Sequence, residues 1–251
     1  MKALFRGLVS ASMVLLWATS TLAQTADDII EKHLAATGGR AAISAVKSRV
    51  ITGAIRISTP IGELGGTIEG YSKAPNKTRT LIKVDLSSVG GGAVINDQRF
   101  DGTTGYLIDT LNGNREITGD ALDAMRNGSF PSPLLTYKEN GTTAALAGEE
   151  SIAGKPAYII TLTPKSGPGV RVFIDRESFL LVRTATKINV PQLGGPIEQV
   201  SDFSDFRDVD GLKIPHVTRT SNPVQTVVAT LSSVKHNVEI DDTMFTRPSS
   251  Q

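Results

Sequence analysis

The chain has 251 residues, no cysteine, 26 Lys and Arg against 25 Asp and Glu (formal net charge +1), and only 5% aromatic residues. Without cysteine it has no disulfide, no thiolate nucleophile and no lipidated N-terminal cysteine. Balanced charge, with no block of one sign, lacks the basic footprint of a nucleic-acid binder, so no nucleic-acid partner is expected.

The first element is an export leader. Lys2 and Arg6 make a positive n-region, and Leu8 to Trp17 is largely apolar. Thr21-Leu22-Ala23 supplies small residues at the −3 and −1 positions of a signal-peptidase site. The uncharged run from Gly7 to Ala23 is 17 residues, short of the roughly 20 that span a bilayer. The expectation is cleavage after Ala23 and a periplasmic protein without a lipid anchor. Residues 24–251 would then form a single domain with 24 basic and 25 acidic residues. No Pro/Ser-rich linker or long repeat divides that domain.

Ala26–Thr37, ADDIIEKHLAAT, has a helix signature. Asp27 and Asp28 suit the positive end of the dipole, Ile30 and Leu34 share a face, and Gly38-Gly39 stop the helix. Arg40–Val46 reads as a second short helix. The period then changes to two. In Arg49–Ser58, Ile51, Ile55 and Ile57 fall on one side and Arg56 and Ser58 on the other; Leu64–Lys73 and Lys77–Leu86 continue the pattern. Three amphipathic strands in succession predict an antiparallel meander.

The middle breaks this rhythm. Gly90-Gly91-Gly92 weakens the strand that follows, Tyr106–Asp109 is a short apolar run, and Gly119–Gly128 suits a short helix. Phe130–Asn140 holds Pro131 and Pro133 before a helical turn. Here the sheet should be interrupted, with Ala121–Asn140 as a lid or plug. Alternation returns with Tyr158, Ile160 and Leu162, then Val170, Val172 and Ile174, then Leu180 and Val182. In Glu198–Thr220 two alternating runs flank Asp210-Gly211, a pair suited to a tight reversal, and Pro215 must sit at an edge, a bulge or a strand start. Val224–Lys235 closes the series. The fold class is α+β, dominated by one large antiparallel sheet.

Familiar catalytic motifs are absent. Gly148–Lys155 imitates a phosphate loop but has five residues between its glycines, and Pro156 stands where Ser or Thr would bind magnesium. It reads as a loop before a strand. Asp208-Val209-Asp210-Gly211 lacks calcium ligands at the first and last positions, Phe206 and Val217. His33, His216 and His236 have no paired spacing, so no metal site is expected, and Asp202, Asp205, Asp208 and Asp210 read as solvated acids beside a turn. Three N-glycosylation patterns, at Asn76, Asn127 and Asn140, are chance matches beside a bacterial-type leader. Ala54, Gly66, Gly70, Ala93, Ala157 and Ala185 are small residues along the strands. They leave volume that becomes either an apolar cavity or a helix-filled core, and composition does not choose between the two.

The order of segments adds a resemblance. ADDIIEKHLAATGG, SRVITGAIRI, VRVFIDRESFLLVRTAT, SDFSDFRDVDGLKIPHV and SSVKHNVEIDDTMFTRP follow one another from Ala26 to Pro248. Together they resemble the periplasmic proteins related to the outer-membrane lipoprotein-sorting carrier LolA, in the uncharacterised bacterial branch that carries Gly38-Gly39-Arg40. The resemblance implies a LolA/LppX-like open, incomplete antiparallel barrel whose concave apolar face is lidded by short helices. It implies binding of lipid or lipoprotein acyl chains, with no cofactor, no metal and no catalysis. Alternation then places Ile51, Ile55, Ile57, Ile82, Val84, Leu86, Ile160 and Leu162 on the concave, ligand-binding side. The alternative use of such a fold is an envelope sensor or interaction module that contacts an inner- or outer-membrane protein partner. N-terminal sequencing of the exported chain checks the leader: the expected first residue is Gln24, and retention of Lys2 would refute cleavage.

Overall fold

The computed structural model describes residues 24–60, 62–87, 90–190 and 195–248; the expected leader, 1–23, lies outside them. The chain opens with helix α1, Ala26–Thr37. Thr25 and Asp28 form a reciprocal cap: the Asp28 backbone N–H donates to Thr25 Oγ1 at 3.1 Å, and the Thr25 N–H donates to Asp28 Oδ2 at 3.0 Å. At the other end Gly38, with φ 137°, turns the chain. A Cβ there would lie 2.5 Å from the Gly211 carbonyl oxygen, so only glycine lets the helix end dock on the Asp210-Gly211 turn. Helix α2, Arg40–Ala45, follows.

The strands are β1 Ser48–Thr59, β2 Gly62–Lys73, β3 Lys77–Asp85, β4 Ala93–Phe100, β5 Gly105–Asp109 and β6 Arg115–Ile117. After helices α3 (Gly119–Asn127) and α4 (Pro133–Thr136) come β7 Thr143–Ile152, β8 Lys155–Thr163, β9 Val170–Asp175 and β10 Leu181–Val190. The last three are β11 Gly195–Val209, β12 Leu212–Asn222 and β13 Gln225–His236. All belong to one 13-stranded sheet in the order β6-β5-β4-β3-β2-β1-β13-β12-β11-β10-β9-β8-β7. Each strand pairs antiparallel with its chain neighbour, β1 also pairs with β13, and the sheet stays open between β6 and β7. The break expected in the middle of the chain is therefore the pair of sheet edges, bridged by α3 and α4.

Register fixes the faces. Ile51 lies opposite Gly70, Ile57 opposite Leu64, and Ile55 opposite Gly66, which in turn faces Val84; Ile82 faces Ile68. Through Val227, Thr220, Ser201 and Thr184 the same face continues to Val172, the partner of Ile160, and to Val170, the partner of Leu162. Leu86 lies one residue beyond β3, where its N–H donates to the Gly92 carbonyl. On this inner face Ile29, Ile30 and Leu34 of α1, Ile43 of α2 and Leu134 of α4 pack on Ile160, Ile174 and Leu212.

The β11–β12 reversal is the expected tight turn, with Asp210 at φ 52° and Gly211 at φ 79° joining Val209 to Leu212. Pro215 lies before β12 begins pairing with β13 at Val217, so its missing N–H removes no bond from that ladder. The segment Gly148–Lys155 corrects its reading as a loop. Gly148 to Ile152 is the end of β7, and Ala153-Gly154 is a reversal with φ 48° and 83°. An edge strand that buries almost nothing has no burial to impose apolar alternation, so its sequence looks like a loop.

The outer face of β3 and β4 is covered by the 3₁₀ turn Asp242–Phe245, whose Phe245 is buried. Beside it Asp97 accepts from Arg79 Nε and Nη2, both at 2.8 Å, and from Arg99 Nη2 at 2.8 Å. Burial pushes the Asp97 carboxyl up, and the two guanidiniums outweigh it and hold it below 3.8. Stability from this group is thus present at neutral pH and lost as pH falls through its lowered folded value. Asp97→Asn leaves two cations without a counter-charge and should lower unfolding free energy by about 3 kcal/mol. Urea titration checks this; the acid-induced loss of stability below pH 3.8 should also be smaller in the variant than in the wild type.

Candidate functional site

The inner face is not filled along its whole length. Helices α1 and α2 plug one part, and a cleft of about 690 Å³ remains between the α3–α4 segment and β8, β9 and β10. Its floor is Leu162, Val170, Val172, Leu181, Thr184, Thr186 and Ile188. These are the inward residues of three adjacent strands, with β-branched side chains standing off the sheet at period two. Its roof is Ala121, Ala124, Pro133, Leu134 and Tyr137. The small residues of α3 leave the volume open, and none of the helix's residues is buried. Asp120, Asn127, Lys187 and Asn189 add polar groups, the mixture of apolar lining and few polar groups typical of small-molecule sites.

Helix α4 is held more firmly than α3. Pro133 sits at its N-terminus, Leu134 enters the core, and the Tyr137 hydroxyl donates to Asp27 Oδ1 of α1 at 2.5 Å. Burial, reinforced by the Asp27 bond, pushes the Tyr137 hydroxyl up to about 12. Lys138 also pairs with Asp27, and its hydrogen bond, then that of Tyr137, lowers the Asp27 carboxyl. Helix α3 has lighter ties, among them Asn127 Nδ2 donating to the Ser166 carbonyl at 2.9 Å and Met125 lying against Gly105 and Gln98.

A second cavity, of about 180 Å³, adjoins the first at Leu181, which lines both. It is walled by His33, Thr37, Ile43, Arg49, Pro131, Ser132, Phe203 and Leu212. Arg49, on β1, faces inward with Ile51. Its Nε donates to His236 Nε2 at 3.0 Å, and the Phe130 ring covers it at 5.3 Å. Burial, with no acidic neighbour to offset it, pulls the Arg49 guanidinium down to about 10, so it stays protonated at neutral pH. Burial and the Arg49 charge lower His236, outweighing the bond to Asp210 Oδ2 at 3.1 Å. A neutral ring with its proton on Nδ1 satisfies both contacts. Burial likewise lowers His33, whose Nδ1 lies 2.9 Å from the Phe179 carbonyl.

Of the eight residues selected from alternation, Leu162 lines the large cleft. Ile160 is fully buried in the core under the helices. Ile55 and Val84 are buried, and Ile51, Ile57, Ile82 and Leu86 are partly buried, on the β1–β3 half of the same face and outside the lining of both cavities. Sequence reasoning missed Thr184, Thr186, Ile188 and Arg49; the first three repeat every second residue in LVRTATKINV, which is a readable signal, while Arg49 carries none. Among the described residues no group of three or more His, Asp or Glu is arranged to hold a metal ion. Asp202, Asp205 and Asp208 of the β11–β12 hairpin are ion-paired with Arg183, Arg207 and Lys213, and Asp210 accepts a hydrogen bond from His236 Nδ1.

No protein-family model and no curated protein matches the chain. Solved structures do. A LolA superfamily protein from Nitrosomonas europaea superposes with TM-score 0.55 at 16% identity, over 89% of this chain and 98% of that one. The fold is that of the LolA superfamily. A DUF1329 family protein from Desulfovibrio piger (TM-score 0.56, 16% identity, 88% of this chain and 97% of that one) has the same architecture. So does a domain assigned as an outer membrane lipoprotein-sorting protein from Vibrio parahaemolyticus (0.55, 12%, 88% and 95%). In this LolA-like chain the open seam lies between β6 and β7, and the α3–α4 segment crosses it. Tyr137→Phe removes the bond from α4 to α1 and should lower unfolding free energy by about 1 kcal/mol. Thermal denaturation measures the loss; an unchanged Tm would show that the bond adds nothing beyond solvation.

Proposed function

We propose that the protein is a non-catalytic periplasmic carrier or binder that holds an acyl chain of a lipid or lipoprotein in the cleft under α3 and α4. The observation that carries this reading is the cleft itself, about 690 Å³ with an apolar floor, under a helix that buries no residue. A helix with so little packing to lose is the inexpensive element to move when cargo enters. The periplasmic setting rests on the leader read in residues 1–23. The non-catalytic character is supported by the engagement of the titratable groups: the histidines bond to carbonyls or to Arg49 and Asp210, and the hairpin acids are paired.

Transfer of about eight methylenes from water into the cleft gains about 6 kcal/mol, equivalent to a dissociation constant in the tens of micromolar before ordering costs. Longer burial tightens this, and displacing α3 weakens it. Native mass spectrometry of the chain purified from the periplasm, followed by solvent extraction, tests the reading. The expected result is a stoichiometric lipid-sized adduct, and Ile188→Asp should weaken uptake of a fluorescent fatty acid by about tenfold or more without unfolding the chain. A bare protein mass with no uptake of the probe would overturn the carrier reading and favour the interaction module.

A further inference from the structure

The second cavity contains a charge that nothing in the described chain neutralises. Arg49 gives its Nε to His236, and among the described residues no carboxylate lies within ion-pair distance of its guanidinium. The next four inward-facing positions on β1 are apolar or glycine: Ile51, Gly53, Ile55 and Ile57. A partly buried guanidinium of this kind is unfavourable unless an anion joins it, because a cation withdrawn from water needs a partner. Phe130 covers the guanidinium, and the rest of the planar group, with the four N–H bonds of Nη1 and Nη2, is the fork that matches a carboxylate or phosphate. Ser132 lines the same cavity, and its hydroxyl makes no cap bond to α4, leaving a second donor. The cavity is small, about 180 Å³, and suits a single head group.

Position links this group to the larger cleft. Leu181 lines both cavities, and one stretch of chain roofs both, Pro131-Ser132 over the smaller and Pro133-Leu134 over the larger. We propose that Arg49, assisted by Ser132, is a subsite for one oxyanion, carboxylate or phosphate, at the head of an amphiphile whose tail lies in the large cleft. This rests on the carrier reading and adds to it a preference for anionic over neutral cargo. The neighbouring cation Lys213 is engaged by Asp208, and His33 and His236 face the site as neutral rings, so Arg49 supplies the positive charge.

The test compares two ligands with one tail, oleate and oleyl alcohol, by isothermal titration of the mature chain. The wild type should bind oleate about tenfold more tightly than the alcohol, Arg49→Gln should abolish that difference while leaving alcohol binding unchanged, and Arg49→Lys should retain part of it. Equal affinities in the wild type, or a preference that survives Arg49→Gln, would overturn the proposal. Should Arg49→Gln not fold, the wild-type comparison and Arg49→Lys decide the matter. If the wild type binds neither amphiphile, the carrier reading falls, and titration with inorganic phosphate decides the subsite. Phosphate binding lost in Arg49→Gln or Arg49→Lys identifies a free-anion site, whereas absence of phosphate binding overturns the subsite as well.

Discussion

The pairing of β1 with β13 is the constraint on which the rest of the molecule depends. Arg49 and His236, which face each other in that ladder, are 187 residues apart. Joining the two ends of the chain in the middle of the sheet sends its middle to the two edges. Every other strand pairing is between chain neighbours, so this one long-range ladder converts a simple meander into a curved wall with its opening opposite the termini. The entropic cost of closing so long a loop rises only slowly with length. The delay in forming it is larger, because no local contact rewards the chain until both ends have met. The segment with α3 and α4 crosses the opening because it connects the strands on either side.

Two structures share the inner face. Under α1, α2 and α4 the side chains interdigitate, with Ile29, Ile30, Leu34, Ile160 and Ile174 fully excluded from water. Under α3 they do not, and Val170, Leu181, Thr184, Thr186 and Ile188 of the floor stay partly exposed. The first region supplies the apolar burial that holds the sheet together. The second leaves part of that burial unmade, which is the physical condition for gaining it from a ligand instead. The outer face has its own anchor in Asp97 and its two arginines under the C-terminal turn.

Much of this was legible in the sequence where a local rule acts alone. Helix α1 follows the expected bounds because Gly38-Gly39 can only end it; the Asp210-Gly211 turn follows from residues that accept positive φ. Two-residue alternation placed the isoleucines of β1, Ile82, Val84, Ile160 and Leu162 on one face, as the register shows. Alternation gives parity and nothing more. Whether a helix or a void lies above a given residue depends on contacts between distant segments, so Ile160 is sealed under the helices while Leu162, buried in the same cluster, also borders the cleft. Arg49 was unreadable for the same reason, since a charged residue at a strand end looks solvated until β13 and Phe130 enclose it. The strand β7 escaped notice because exposure on an edge removes the pattern that would reveal it.

A sheet that is not closed on itself also leaves two edge rows of backbone hydrogen-bonding groups, each able to recruit a strand from another molecule. The two edges discourage that in different ways. The strand β6 is only three residues long, Arg115–Ile117, and presents Arg115 and Glu116. The strand β7 is ten residues long and would be the dangerous one, but its register slips between Leu146 and Gly148, and it carries Glu149 and Glu150 beyond the slip. The irregularity spoils the flat template, and the charged side chains beyond it, Glu149 paired with Arg176 and Glu150 with Arg183, make the edge a poor partner for an apolar strand. The open seam between β6 and β7 is thereby guarded against edge-to-edge association.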